Sequence, residues 1–247
     1  MAHLYISDEL AETAVGATVE LAGAEARHAV SVSRLRVGES ILITNGRGLL
    51  VDAEAVEVGK DRVSLVVASV DDRQPPQPPI TLVQALAKGD RDERAIEMAT
   101  ELGVSDIVPW QSARSVSRWE GDKAHKGQAR WQAIVREASK QSIRAWIPRV
   151  ETVTSTKSLI SGGFDGLTLV LDPSGEVTLS EALSDHAGKV SSGIRLIVGP
   201  EGGIAPEEID QLVTSGAIVV GLGANILRTS TAGPAVLAVI NELLSRW

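Results

Sequence analysis

The sequence predicts a two-part chain, a small β-barrel followed by an α/β domain with a mainly parallel sheet. Three observations carry that reading. Short alternating apolar runs separated by turn residues fill the first third. Four prolines in five residues close the stretch Asp71–Pro79, denying both helix and ladder hydrogen bonds. Beyond it, continuous apolar strands alternate with amphipathic helices, the pattern of a parallel sheet covered on both faces. The implied domains are residues 1–72 and 80–247, joined by a Pro-rich linker at 73–79.

Within the barrel the strands are TVEL, SILIT, GLLVDAEAVEV after the Asn45-Gly46 turn, and RVSLVVASV after Gly59-Lys60-Asp61. The insertion AEARHAVSVSRLRVGE, with Arg27, Arg34 and Arg36, reads as a short helix on the rim. In the second part the strands are ITLVQAL, DIVPW, LTLVLD, IRLIVG and AIVVGL. The first helix has Asp90 and Glu93 at capping-box spacing, a buried stripe of Ala95, Met98, Ala99 and Leu102, and Gly103 as its stop. A second runs from about Lys126 to Ser142 and buries Trp131, Ile134, Val135 and Ala138, with Arg136, Lys140 and Arg144 stacked on the opposite face. Pro206 opens a third, with Ile209, Leu212 and Val213 inward. The last, from about Thr231, buries Val236, Val239, Ile240, Leu243 and Leu244.

The 247 residues have a net charge of −8, contain no cysteine, and scatter their four histidines without ligand spacing, so thiol chemistry is excluded and no metal site is expected. No apolar run approaches a membrane span, and MAHLYISDELAE lacks the layout of a signal peptide, so a cytoplasmic location without membrane partners is expected. The overall acidity hides a segregation. From Ser112 to Arg149 nine Lys or Arg face three acids, a basic patch on an acidic protein that suits either a solvated helix face or nucleic acid.

Two glycine-bearing loops follow strands in the last third, Gly199–Gly203 (GPEGG) and Gly221–Gly233 (GLGANILRTSTAG), and ligands of open α/β sheets lie at strand carboxyl ends. GxGxxG, a P-loop lysine and a GxSxG elbow are all missing, which argues against dinucleotide binding by that fingerprint, nucleotide-phosphate hydrolysis and serine hydrolysis.

LIVGPEGGIAPEEI followed by LGANILRTSTA resembles the signature of the ribosomal RNA small subunit methyltransferase E family, in the SPOUT superfamily of knotted methyltransferases. KGDRDERAIEMATELGVSDIVPW, REASKQSIRAWIPRV and RHAVSVSRLRVGE resemble other family segments, in the expected order over nearly the whole chain. The resemblance implies a PUA-like RNA-binding barrel, a SPOUT domain with a trefoil knot, a homodimer, and S-adenosylmethionine-dependent methylation of uridine N3 near the 3′ end of 16S ribosomal RNA. Carried over by position, it implies a cofactor pocket of Leu171, Asp172, Pro173, Val198, Gly199, Pro200, Glu201, Gly202, Leu222, Gly223, Ile226, Leu227 and Arg228. Arg228 is the candidate for stabilising charge on the uracil oxygens, Glu201 a weaker one for taking the proton. Arg27, Arg34, Arg36, Arg136, Lys140, Gln141 and Arg144 are the candidate RNA contacts, and Trp119 and Trp146 candidate base-stacking surfaces. The chain departs from the family where Asn225 stands for a common arginine, Ser230 for a glutamate, Lys140 for an acid and Ala205 for a hydroxyl cap. A SPOUT enzyme for another RNA site, and a non-catalytic RNA-binding or ribosome-assembly factor, are the alternatives.

Overall fold

The alternating runs of the first third build a five-stranded sheet. A computed structural model describes residues 3–247, and in it β1 (Leu4–Ile6), β2 (Thr18–Ala22), α1 (Gly23–Ser31), β3 (Ser40–Thr44), β4 (Leu49–Val58) and β5 (Arg62–Asp72) follow in order. The sheet order is β1-β3-β4-β5-β2, antiparallel except for the parallel β1/β3 pair. Inward residues of successive strands, among them Leu21, Ile43, Val51 and Leu65, join Tyr5, Ala26 and Ala29 in one core. At the β3/β4 turn the Asn45 Oδ1 accepts the Arg47 N–H at 2.8 Å, and Gly46 takes φ +71°.

The chain divides into two compact units. The first runs to Pro75 and also takes in Ser139–Ile147; the second comprises Pro76–Ala138 and Pro148–Trp247. In the first, Ala145 O accepts the Gly48 N–H at 3.0 Å and the Thr44 hydroxyl at 3.2 Å, while Trp146 Nε1 donates to Arg73 O at 2.8 Å. The two Ala145 bonds stitch the inserted segment to the turn that carries Asn45-Gly46, and the Trp146 bond ties it to the end of β5.

The second unit contains β6 (Ile80–Ala85), α2 (Arg91–Glu101), β7 (Asp106–Trp110), α3 (Asp122–Gln141, whose last turn lies in the first unit), β8 (Arg149–Val150), α4 (Thr156–Ser161), β9 (Leu167–Leu171), α5 (Leu179–Asp185), α6 (Ala187–Val190), β10 (Ile194–Val198), α7 (Pro206–Thr214), β11 (Ile218–Val220) and α8 (Thr229–Leu243). Its six strands are ordered β11-β9-β10-β6-β7-β8 and every pairing is parallel. Parallel strands put all their carboxyl ends on one edge. The loops after β6, β9, β10 and β11, the four adjacent strands, therefore emerge together. No helix among the described residues is long and apolar enough to cross a membrane.

Several local expectations are corrected. The N-cap residue Asp90 does not cap α2 with its side chain: Asp90 pairs with Arg94 and Glu93 with Arg130, while Asp92 accepts the Ala87 N–H at 3.0 Å and the Glu93 N–H at 2.9 Å. In α7, Val213 is exposed and Glu208 turns inward, accepting the Ala113 N–H and the Thr156 hydroxyl. In α8, Val239 and Leu243 are exposed because the buried face is Val236, Leu237, Ile240 and Asn241, with the Asn241 amide donating to Leu102 O at 2.7 Å. Two strands, β1 and β8, escape the sequence patterning, being three and two residues long.

Candidate functional site

Twelve of the thirteen residues that the family pattern assigns to the cofactor line one cavity of about 450 Å³ in the second unit. Leu171, Asp172 and Pro173 come from the end of β9, Val198 to Glu201 from the end of β10, and Leu222, Gly223, Ile226, Leu227 and Arg228 from the loop between β11 and α8. Gly202 is absent from the lining. Its carbonyl instead accepts from Arg114 Nη1 at 3.1 Å. Arg91, Gly203, Ile204, Asn225, Thr229 and Ala232 complete the wall. The signal for Arg91 is its place directly after the β6 loop, at the same sheet edge as the glycine loops.

The loops are held by close backbone approach and by polar ties. A Cβ on Gly221 would land on the Gly175 carbonyl oxygen, so these two segments touch only because both residues are glycine. Gly203 takes φ +72°, which lets the GPEGG turn double back toward α7. The buried Thr229 hydroxyl donates to Gly199 O at 2.7 Å and accepts from Gln84 Nε2 at 2.9 Å. Strand β6, the β10 loop and the start of α8 are thus joined through one hydroxyl. Asp172 Oδ1 accepts the Ser174 N–H and hydroxyl, closing the turn after β9.

Charge at the site is arranged in two places. Glu201 Oε1 accepts from Arg91 Nη1 at 2.6 Å and from the Lys88 N–H at 3.0 Å. Burial alone pushes the Glu201 carboxyl up. The Arg91 hydrogen bond, the backbone N–H groups of Glu201 and Lys88 and the Arg91 charge outweigh it, so the carboxyl sits below its ordinary value. A carboxylate so stabilised is a weak proton acceptor in the ligand-free site. Arg228 is exposed and occupies the N-cap position of α8; its carbonyl accepts from the Thr231 and Ala232 N–H groups, while its guanidinium has no hydrogen bond or ion pair among the described residues. Asn225 is exposed on the cavity lining and Ser230 half-buried.

The expected RNA contacts fall into two groups. Arg27, Arg34, Arg36 and Gln141 are exposed, and Arg136 and Arg144 are half-buried. Lys140 does not present its charge: it is 8% exposed and its Nζ pairs with Glu25 Oε1 at 3.2 Å. The expected helical ridge also stops short of Arg144, because α3 ends at Gln141 and Ile143 takes φ +53°. Trp119 packs edge-on against buried Trp131, centroids 5.0 Å apart, and Trp146 packs on Leu4, Leu50 and Ala145, so both are engaged within the fold.

An RNA methyltransferase domain model matches residues 73–241, and an RNA methyltransferase PUA domain model matches residues 21–68. The ribosomal RNA small subunit methyltransferase E of Mycobacterium bovis is 40% identical over 252 residues, covering 100% of this chain and 94% of that protein. The Bacillus subtilis protein of the same name is 34% identical over 230 residues, covering 91% and 90%. The crystal structure of the Neisseria gonorrhoeae enzyme of that name, bound to S-adenosyl methionine, superposes with a TM-score of 0.87 at 30% identity over 98% of each chain. A match of this extent in both sequence and fold places the chain in the ribosomal RNA small subunit methyltransferase E family.

Proposed function

We propose that the protein is an S-adenosylmethionine-dependent methyltransferase of small-subunit ribosomal RNA, and that its target is N3 of one uridine near the 3′ end of 16S RNA. In this reading residues 1–72 are the RNA-binding PUA-like barrel, 73–79 the linker and 80–247 the knotted catalytic domain. The enzyme works in the cytoplasm as a homodimer, with no metal and no membrane partner. The observation that carries the reading is the single cavity that gathers twelve family-assigned residues from three separate loops.

The residues present fit the cofactor. Leu171, Val198, Ile204, Leu222, Ile226 and Leu227 offer apolar walls to an adenosine and a thioether, the glycines leave backbone donors and acceptors accessible, and the volume falls within the usual range for a small-molecule site. When bound, S-adenosylmethionine supplies a methyl group on a positively charged sulfur.

Uridine N3 is an imide of roughly phenol-like acidity, mostly protonated at neutral pH, so the site must favour its anion. Arg228, whose guanidinium has no partner among the described residues, is available to stabilise charge developing on the neighbouring carbonyl oxygens. Glu201 contributes by holding Arg91, and the proton leaves to solvent or to a group of the RNA. N3 lies on the Watson–Crick edge, so the base is presented unpaired. Exposed Arg27, Arg34 and Arg36 supply phosphate contacts far from the chemistry in sequence.

Transfer of labelled methyl from S-adenosylmethionine to small subunits lacking the modification, with reverse transcription to find the stop, tests this directly. One stop at one uridine near the 3′ end is expected. Cofactor binding without transfer would move the question to another RNA, and absence of cofactor binding would favour a non-catalytic RNA-binding role.

A further inference from the structure

Of the nine Lys and Arg between Ser112 and Arg149, three are neutralised within the fold. Arg130 pairs with Glu93, Lys140 with Glu25, and Arg149 with Asp106 and Glu151. Arg114 and Arg118 are exposed and have no carboxylate partner among the described residues. Both stand on the loop between β7 and α3, which leaves the sheet at the same carboxyl edge as the glycine loops. Midway between them is Val116, which is 73% exposed. The loop is firmly held. Ser112 and Ser115 are buried and their hydroxyls share a hydrogen bond at 3.1 Å. Buried Glu208 accepts the Ala113 N–H at 3.0 Å, Gln111 Oε1 accepts the Trp119 N–H at 2.8 Å, and Arg118 Nη2 donates back to Ala113 O at 3.2 Å. Arg114 Nη1 donates to Gly202 O at 3.1 Å and Ile204 O at 3.4 Å, tying the loop to the turn that carries the cavity residues Gly203 and Ile204. Nε and Nη2 of Arg114, and Nε and Nη1 of Arg118, have no hydrogen bond among the described residues.

We propose that this loop opens the RNA stack at the target: Val116 enters the place that the uridine vacates, and Arg114 and Arg118 hold phosphates on either side of it. This rests on the function proposed above, in which the base must leave its stack for N3 to be reached. Unstacking leaves a gap between neighbouring bases, and an apolar wedge that fills it holds the base out. Val116 suits that task because a β-branched side chain has few rotamers to lose on insertion. Other exposed apolar side chains on the loops of this edge are committed elsewhere: Ile226 and Leu227 line the cavity, and Val177 bridges to Val220. Trp119, at the far end of the same loop, packs on Trp131 and leaves the tip to Val116. The free edges of the two guanidiniums match phosphate oxygens, and the ordered loop presents them without having to be immobilised on binding. Because Arg114 also grips the GPEGG turn, a phosphate on its free edge is held in register with the cavity.

The test compares single-turnover methylation with equilibrium binding, using the full-length protein and small subunits lacking the modification. Val116→Ser should slow methylation at saturating subunit by about tenfold or more, with subunit affinity, S-adenosylhomocysteine affinity and melting temperature unchanged. Val116→Ile, which keeps the wedge, should recover most of the rate. Arg118→Gln should lower the slope of log affinity against log salt by about 0.7–0.9, the share of one phosphate. A wild-type rate in Val116→Ser would overturn the wedge. So would a loss confined to subunit affinity, which would make Val116 an ordinary surface contact. Val116→Ser protein that sediments as a smaller species than wild type would put a second copy of the chain on this loop and equally overturn the proposal. Wild-type protein that transfers no methyl group to these subunits sinks the function reading itself, and the wedge with it.

Discussion

The hydroxyl of Thr229 donates to the carbonyl of Gly199 while accepting from the amide of Gln84, at 2.7 and 2.9 Å. This buried relay ties the point where β10 gives way to its loop to the start of α8, and it sets the backbone on one side of the cavity. Thr229→Val keeps the shape and removes both bonds, leaving the Gly199 carbonyl and one N–H of the Gln84 amide unmet, the amide keeping its bond to Ala85 O, at a cost of about 1–3 kcal/mol. Cofactor binding measured by calorimetry should weaken by roughly tenfold. If it does not change, the relay has no part in shaping the cavity.

Much of this arrangement is legible in the sequence, and the reason is physical. Strands β6, β7, β9 and β10 are buried on both faces, so they read as mainly apolar runs, and β6, β9 and β10 have glycine-bearing loops at their ends. What stays hidden is pairing at a distance. Arg91 is one cation in a charged helix start until the fold brings Glu201 to it, and Asp90 and Glu93 show capping-box spacing although Arg94 and Arg130 claim them. Counted by charge alone Lys140 belongs to the basic patch, yet Glu25, 115 residues earlier, draws it inward. In α8 the inward place of Asn241 rotates the buried stripe by one residue, which an apolar pattern cannot anticipate.

The contact between Gly221 and Gly175 predicts a sharp asymmetry among the loop glycines. Gly221→Ala has no room, because its neighbour is backbone, and the strand-end loop must shift. Gly202→Ala meets only the Arg114 side chain and carbonyl, at 3.6 Å and beyond, an ordinary contact. The first variant should lose measurable cofactor binding and the second should retain it. Equal behaviour of the two in a binding titration would refute the role given to the Gly221–Gly175 approach.

The depressed Glu201 carboxyl makes a pH prediction whose sign can be worked out. With a folded value below the ordinary one, the Arg91 bond adds stability above the ordinary carboxylate range and is lost as pH falls through the depressed value. Nothing at Glu201 titrates between pH 6 and 9. The single-turnover methylation rate should therefore rise with pH across that window as the imide proton is lost, with the same slope in wild type and Glu201→Gln. A slope abolished by the substitution would restore Glu201 as the proton acceptor.

Lys140 and Glu25 form a pair whose side chains are only 6% and 17% exposed, and Glu25 Oε2 is buried without a partner among the described residues. Removing one member leaves a charge uncompensated in a poorly solvated place. Lys140→Met should lower stability by about 3 kcal/mol, or roughly 6–12 °C in melting temperature. Lys140→Met with Glu25→Leu should recover most of that loss, since an apolar pair carries no desolvation cost. Thermal unfolding of the two single variants and the double variant closes the cycle, and simple additivity would show that the pair is not coupled.

That buried pair also separates two kinds of basic residue in RNA binding. Arg27, Arg34 and Arg36 are exposed and available to phosphates, whereas Lys140 is neutralised by Glu25. Each phosphate contact releases condensed counterions and adds roughly 0.7–0.9 to the slope of log affinity against log salt. The triple Arg27→Ala, Arg34→Ala, Arg36→Ala variant should therefore lower that slope for small-subunit binding by about 2–3. Lys140→Met, assayed well below its melting temperature, should leave the slope where it is. A slope unchanged in the triple variant would move the phosphate contacts off α1 and the loop that follows it.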